Sequence, residues 1–239
     1  MSDCTLVLIP GLMCDAAVWE PQLRHLAAIA KVAVAEHGLA SELGLMAEQI
    51  LETHPGALAL AGHSMGGRVA LEVVRRAPER VQGLALLDTG CHALAAGAAG
   101  ERERRGRMAV LAQAQSAGLG AAAATWLQGM VHPGRLEDQA LCASIIEMWE
   151  RRSLAHLAAQ MQALLARSDA AALLPGLAVP ALVLCGAEDL SAPVQQHMEM
   201  AALLPRSDYV QVADCGHMCT LERSAEVTAA LAMWLRRVT

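Results

Sequence analysis

Short apolar runs recur along the chain, and helix-length segments with a polar face separate them. Each run is continuously apolar instead of alternating, which is typical of strands buried on both faces of a parallel sheet. The pattern therefore predicts an α/β fold. The predicted strands are Thr5–Ile9, Lys31–Ala35, Ala57–Ala61, Val81–Leu87, Ala181–Cys185 and Asp208–Val212.

The alternation of strands and helices breaks once, between about Cys91 and Leu177. This stretch is rich in alanine and carries no strand signal, so it is expected to be helical. The interruption predicts a helical cap subdomain at residues 91–177. It would fold back over a core domain formed by residues 1–90 and 178–239.

One serine stands between a strand signal and a helix signal, because residues 62–66 read Gly-His-Ser-Met-Gly and follow Ala57–Ala61 directly. A serine on such a sharp turn projects from the end of the sheet, and a Cβ on either flanking glycine would clash. The start of the next helix also favours a developing negative charge. We therefore predict that Ser64 is a nucleophile; the alternative is an ordinary serine at a helix N-cap.

A serine nucleophile requires a general base, usually histidine, that a carboxylate holds in place. His217 follows the last predicted strand, and Asp189 follows the strand before it. The chain order Ser64, Asp189, His217 suits a site at the carboxyl ends of parallel strands. Glu188 and Asp88 are the competing candidates for the acid.

These motifs resemble the α/β-hydrolase superfamily over essentially the whole chain. Asp189 matches the acid of that family in a Gly-x-x-Asp turn, and His217 matches its histidine in a Gly-His turn. The resemblance implies an α/β-hydrolase fold with a mostly parallel sheet. The family usually opens with an antiparallel hairpin, whereas the first predicted strand here starts near residue 5, so we expect six strands in the order second, first, third, fourth, fifth, sixth. Helices would flank the sheet, and the helical cap would be inserted after the fourth strand.

The loop after the first strand is also similar to that of the family. By this match, the backbone amides of Leu12 and Met65 would form the oxyanion hole. Pro10 departs from the pattern, since it stands where the family usually has a histidine that braces this loop. The departure puts the geometry of the hole in question more than that of the triad.

The formal net charge of −6, without a basic block, argues against a nucleic-acid surface. The cluster Arg102–Arg107 alternates with acidic residues and predicts a solvated helix face. No apolar run approaches the roughly 20 residues that a membrane-spanning helix needs. The N-terminal sequence lacks signal-peptide features, and seven cysteines, an odd number, fit a reducing compartment. We expect a cytoplasmic protein without nucleic-acid or membrane partners.

Histidine and cysteine side chains raise the question of a metal site. Cys215, His217 and Cys219 are spaced too closely for a good tetrahedral zinc site, so we expect no metal, and the predicted chemistry needs no organic cofactor. His63 is expected to be structural. The remaining histidines are predicted to cap helices or lie on the surface, among them His37, His54, His132, His156 and His197.

The predicted insertion supplies candidates for the substrate pocket, chiefly Trp126 and Trp149, with Met130 and Met148. The alternative is that these side chains pack inside the insertion itself. Its apolar, methionine-rich composition favours a small to medium apolar ester, or a lactone-like substrate.

The sequence as a whole predicts a carboxylesterase-like serine hydrolase that acts on a small-molecule ester through an acyl-enzyme on Ser64. The resemblance does not separate esterases from enol-lactonases and carbon–carbon bond hydrolases. An acyltransferase or lyase that uses the same triad is an alternative, as is a non-catalytic ligand-binding protein. The oligomeric state is left open.

Overall fold

The computed structural model describes residues 4–238. Within them, six strands form one parallel sheet in the order β2-β1-β3-β4-β5-β6. This order and the α/β class are those predicted from the sequence, and each strand end lies within two residues of its predicted position. The strands are β1 (Cys4–Ile9), β2 (Lys31–Val34), β3 (Ala57–His63), β4 (Val81–Leu87), β5 (Ala181–Gly186) and β6 (Ser207–Val212).

Both faces of the sheet are buried, which accounts for the continuous apolar runs. In β1, Val7 and Ile9 pack into the core on one face, whereas Leu6 and Leu8 pack into the core on the other. Helices cover both faces. The α-helices of the described residues are α1 (Glu20–Leu26), α2 (Leu43–Thr53), α3 (Met65–Arg76), α4 (Gly97–Ala117), α5 (Leu119–Trp126), α6 (Gln139–Glu150), α7 (Leu154–Leu165), α8 (Val194–Leu203), α9 (Cys219–Glu222) and α10 (Ser224–Val238).

The segment between β4 and β5 is helical, as predicted, and it contains α4, α5, α6 and α7. It contacts the loops that follow the strands. Gln160 on α7 accepts a hydrogen bond from the Met13 amide, and the Met130 carbonyl accepts one from the His217 amide. Its division from the rest of the chain as a cap subdomain, residues 91–177, stays a prediction.

The strand register brings the ends of β3, β4, β5 and β6 to one edge of the sheet. His63 pairs with Leu87, Leu87 with Leu184, and Gly186 with Val212. The loops that begin at residues 64, 88, 187 and 213 therefore start side by side. In the part of the chain that is described, no helix combines the length and the apolar character needed to cross a bilayer.

Candidate active site

Ser64 occupies a strained turn between β3 and α3. Its backbone has φ 54° and ψ −117°, a conformation that costs a residue with a side chain of order 1–3 kcal/mol. The flanking glycines make the turn possible, because a Cβ on Gly62 would collide with Gly66, and one on Gly66 would collide with the Ile9 carbonyl. The Thr89 hydroxyl donates to the Ser64 carbonyl at 2.6 Å. The flanking glycines thus permit this conformation of Ser64, and the Thr89 hydrogen bond stabilises it.

Ser64, His217 and Asp189 form one continuous hydrogen-bonded chain. Nε2 of His217 lies 2.8 Å from Oγ of Ser64, and Nδ1 of His217 lies 2.8 Å from Oδ2 of Asp189. The amides of Ser191 and Ala192 donate to the other Asp189 oxygen at 2.8 and 2.9 Å. The imidazole is therefore oriented with its acceptor nitrogen toward the serine hydroxyl.

The surroundings of the hydrogen-bonded triad favour the charged forms of His217 and Asp189. Burial acts against ionisation of His217, but the Asp189 charge and its hydrogen bond raise the pKa of His217 above its ordinary value. Burial likewise opposes ionisation of Asp189, yet His217 and two backbone amides lower the pKa of Asp189. Asp189 is thus built to carry a negative charge next to an imidazolium.

The two competing carboxylates are engaged elsewhere. Glu188 accepts a hydrogen bond from the Cys215 amide. Asp88 accepts from the amides of Gly186 and Cys219. Burial, together with the nearby Asp189 charge, raises the pKa of Asp88 to about 8. Neither residue is hydrogen-bonded to His217, whereas Asp189 is.

The loop after β1 is braced although it lacks the histidine usual in the family. His37 donates from Nε2 to the Pro10 carbonyl at 3.1 Å. Met13 has a positive φ of 57°, and its amide donates to Oε1 of Gln160 at 2.7 Å in a buried contact. The amides of Leu12 and Met65 have no hydrogen-bond acceptor within residues 4–238, and both residues border the cavity in front of Ser64.

A buried glutamate organises the loop that carries His217. The Glu222 carboxylate accepts hydrogen bonds from the amides of Gly216, Met218 and His132 at 2.8–3.2 Å. The His217 amide in turn donates to the Met130 carbonyl at 2.6 Å. Glu222 was not predicted as a site residue, because its only signal in the sequence is an acidic residue five positions after His217.

Two of the predictions for the other histidines are wrong. His37 and His197 are buried, and the pKa of His197 falls to about 4 because burial disfavours its charged form. His54, His132 and His156 do stand at helix ends, and His63 is buried with Nε2 donating to the His217 carbonyl at 2.7 Å. Among the described residues, no group of three or more His, Cys, Asp or Glu side chains could hold a metal ion.

A cavity of about 930 Å³ opens in front of Ser64 and His217. Of the two predicted pocket residues, Trp126 lines this cavity and Trp149 does not. Trp149 is fully buried and packs against Trp126 with ring centroids 5.3 Å apart. Trp149 therefore supports the wall from behind. The prediction that Arg107 lies on a solvated helix face is wrong, because its side chain lines the cavity.

The amino-acid sequence is similar to a known protein family and to two esterases. A family model described as alpha/beta hydrolase fold matches residues 45–224. A pimeloyl-acyl-carrier-protein methyl ester esterase of Nitrosomonas europaea is 29% identical over 89% of this chain and 88% of its own length. The corresponding esterase of Klebsiella pneumoniae (strain 342) is 38% identical, but the match covers 34% of this chain and 35% of the relative.

Solved structures show the same fold. A thermophilic esterase from Thermogutta terrifontis superposes with a TM-score of 0.86 at 25% identity, covering 98% of this chain and 90% of its own. An enol-lactonase from Burkholderia xenovorans superposes with a TM-score of 0.84 at 22% identity, covering 99% and 92%. At 22% identity, the similarity to the enol-lactonase shows a shared fold and nothing further.

The matched range contains Ser64, Asp189 and His217, and it makes up well over half of the chain. The predicted resemblance and fold class are thereby confirmed, and the prediction of an enzyme that acts on ester bonds agrees with these relatives. The chain belongs to the α/β-hydrolase fold family.

Proposed function

We propose that this protein is a serine hydrolase that cleaves a carboxylic ester or lactone-like bond through an acyl-enzyme on Ser64. The observation that carries the proposal is the pair of 2.8 Å contacts that link Ser64 to His217 and His217 to Asp189 at the mouth of a large cavity. Relatives named as esterases support it.

In the first half-reaction, Nε2 of His217 accepts the Ser64 proton while Oγ attacks the ester carbonyl carbon. The carbonyl oxygen becomes an oxyanion, which the amides of Leu12 and Met65 would bind. Asp189 holds the imidazolium and stabilises its charge. When the tetrahedral intermediate collapses, His217 gives its proton to the leaving alcohol, and the acyl group stays on Ser64.

In the second half-reaction, water enters in place of the alcohol. His217 removes a proton from the water, the resulting hydroxide attacks the acyl carbonyl, and the same two amides hold the oxyanion. His217 then returns the proton to Oγ of Ser64, which releases the carboxylic acid and restores the enzyme. No step requires a metal or an organic cofactor.

The substrate is proposed to be a small molecule with an apolar part. Apolar side chains from the loop after β1 and from the helical segment form much of the cavity wall. They are Leu12, Val110, Trp126, Met130, Met161 and Leu164. We also propose a cytoplasmic location, which is supported by the free thiols of all seven cysteines.

A panel of p-nitrophenyl esters of graded acyl length tests the proposal. The wild-type protein is expected to release both p-nitrophenolate and the free acid, and Ser64→Ala to lose on the order of a thousandfold or more in kcat. Activity that survives in Ser64→Ala would refute the mechanism. A product ester, formed in place of the free acid when an acceptor alcohol is added, would instead identify an acyltransferase.

A further inference from the structure

Three arginines from separate parts of the chain line one region of the cavity that contains Ser64. Arg68 lies on α3, one helical turn after Ser64, Arg107 lies on α4, and Arg167 follows α7. All three side chains are at least partly buried, and that of Arg167 is 7% exposed. This part of the cavity wall therefore places three partly buried cations in the cavity that contains Ser64.

A single carboxylate partners two of these arginines. Both Glu103 oxygens bind Arg167, at 2.7 and 2.8 Å, and Arg107 donates to Glu103 at 2.9 Å. Burial opposes ionisation of Glu103, but the hydrogen bonds and charges of Arg167 and Arg107 lower the pKa of Glu103 to about 2, so its charge is retained. Two of the three guanidinium groups thus share one carboxylate.

Arg68 has no carboxylate partner among residues 4–238. Its Nη1 donates to the His92 carbonyl at 2.8 Å, and that same oxygen also accepts from Nε of Arg167 at 3.2 Å. Burial and the neighbouring charges of Arg167 and Arg107 lower the pKa of Arg68 to about 9. A partly buried cation beside two others is unfavourable unless an anion joins it.

The other acidic groups of the cavity do not supply this anion. Asp169 is bound by the Ala171 amide and by His92, and Glu199 accepts from Gln195. Burial and the Asp189 charge raise the pKa of Asp88, which favours the uncharged form of that carboxyl. Within the described residues, none of these carboxylates is therefore within ion-pair distance of the Arg68 guanidinium.

The Arg68 guanidinium lines the cavity and lies against Gly90, whose lack of a side chain permits this close approach. A Cβ on Gly90 would lie 3.1 Å from Nη2 of Arg68 and 2.8 Å from Oε1 of Gln196. Nη2 has no acceptor within residues 4–238. A bound oxygen could thus reach the free edge of the guanidinium, whose planar fork suits carboxylate and phosphate oxygens.

We propose that Arg68, supported by Arg107 and Arg167, binds an anionic oxygen group of the substrate, a carboxylate or a phosphate, at the end remote from the ester. The inference rests on the proposed ester hydrolysis and narrows its substrate class. The apolar wall would hold the chain between the two ends. The apolar ester expected from the sequence is thereby narrowed to an amphipathic ester with an anionic group at one end.

The test compares methyl esters of equal length that differ at the remote end: a free carboxylate, a phosphate and a neutral carboxamide. Wild-type kcat/KM is expected to favour an anionic ester over the carboxamide by roughly tenfold or more, as for a hydrogen-bonded charge pair. The better of the two anionic arms identifies the group. Equal kcat/KM values for all three esters would overturn the proposal.

Substitutions test whether Arg68 is responsible for the preference for anionic esters. Arg68→Met is expected to abolish most of the anionic preference, chiefly through KM, and Arg68→Lys to keep part of it. Arg104→Met removes the same charge from an exposed position on α4 that is absent from the cavity wall, so it should leave the preference intact. A preference that persists in Arg68→Met would contradict the assignment.

Calorimetric binding of adipate and of inorganic phosphate separates this inference from the proposed function. If no ester is hydrolysed but one anion binds wild-type protein and binds Arg68→Met at least tenfold more weakly, the site stands and the hydrolase proposal fails. If esters are hydrolysed without regard to charge and neither anion binds, the hydrolase proposal stands and the anion site fails.

Discussion

Asp189 reaches His217 directly, with 2.8 Å between Oδ2 and Nδ1, although Asp88 lies close by at the end of the neighbouring strand. The pKa values of the two aspartates are shifted in opposite directions. Asp189 is bound by His217 and two amides, which lower its pKa, whereas burial and the Asp189 charge raise the pKa of Asp88 to about 8. The surroundings thus favour the charged form of Asp189 and the neutral form of Asp88.

The two aspartates should respond differently to the same substitution. Asp189→Asn removes the charge that stabilises the His217 imidazolium, so kcat should fall by roughly a thousandfold or more. Asp88→Asn changes a side chain that is bonded to backbone amides, and its loss should be far smaller. Steady-state kinetics of the two variants checks this, and a larger loss in Asp88→Asn would reassign the acid.

The pH dependence of kcat/KM should report the state of His217. The protonated imidazole cannot accept the Ser64 proton, so activity should rise as pH increases through the pKa of His217. Because that pKa is raised from 6.5, the midpoint of the acidic limb should lie above pH 6.5. A midpoint at or below pH 6.5 in a pH-rate profile would argue against this pairing.

Gln160 is expected to position the oxyanion loop. Gln160→Leu leaves the buried Met13 amide without its acceptor, which should cost about 1–3 kcal/mol of unfolding free energy and lower kcat by roughly ten- to a hundredfold. Thermal unfolding and kinetics measure both effects. Gln162→Leu is the matched control, since Gln162 is exposed on the same helix. Equal behaviour of the two variants would remove Gln160 from this role.

His197 should make the protein sensitive to acid. Its Nε2 accepts from the Thr89 amide, and burial lowers its pKa from 6.5 to about 4. Between these values the unfolded chain takes up a proton that the folded chain does not, so this contribution to stability is lost as pH falls.

The matched measurement is urea unfolding of wild type and His197→Gln from pH 7 to pH 4.5. The glutamine side chain can accept from the Thr89 amide but does not titrate. The stability advantage of wild type should therefore shrink by about 1.4 kcal/mol per pH unit below pH 6.5. A constant difference across this range would show that His197 titrates alike in both states.

The sheet and the ordered triad could be predicted because their signals are local. Strands buried on both faces need continuous apolar runs, and the residues that follow parallel strands meet at one edge of the sheet. Ser64, Asp189 and His217 each follow a strand, so their meeting did not require knowledge of side-chain directions.

The supporting contacts could not be predicted, since they join distant positions. Gln160 and Met13 are 147 residues apart, and Glu103 and Arg167 are 64 apart. Arg107 was predicted to lie on a solvated face because Glu103 and Arg107 form an i, i+4 pair on α4, as exposed helices often do, and the contact of Glu103 with the distant Arg167 has no local signal. Trp126 and Trp149 were equally plausible pocket residues, and only their packing separates the one that faces the cavity.

Covalent labelling of Ser64 is the most direct test of the central claim. Folded wild-type protein treated with a fluorophosphonate should gain one adduct, mapped by mass spectrometry to the peptide that contains Ser64. Ser191→Ala, which changes another serine of the cavity, should label normally, and Ser64→Ala should not label. An unlabelled but folded wild-type protein, or an adduct that persists in Ser64→Ala, would contradict the account.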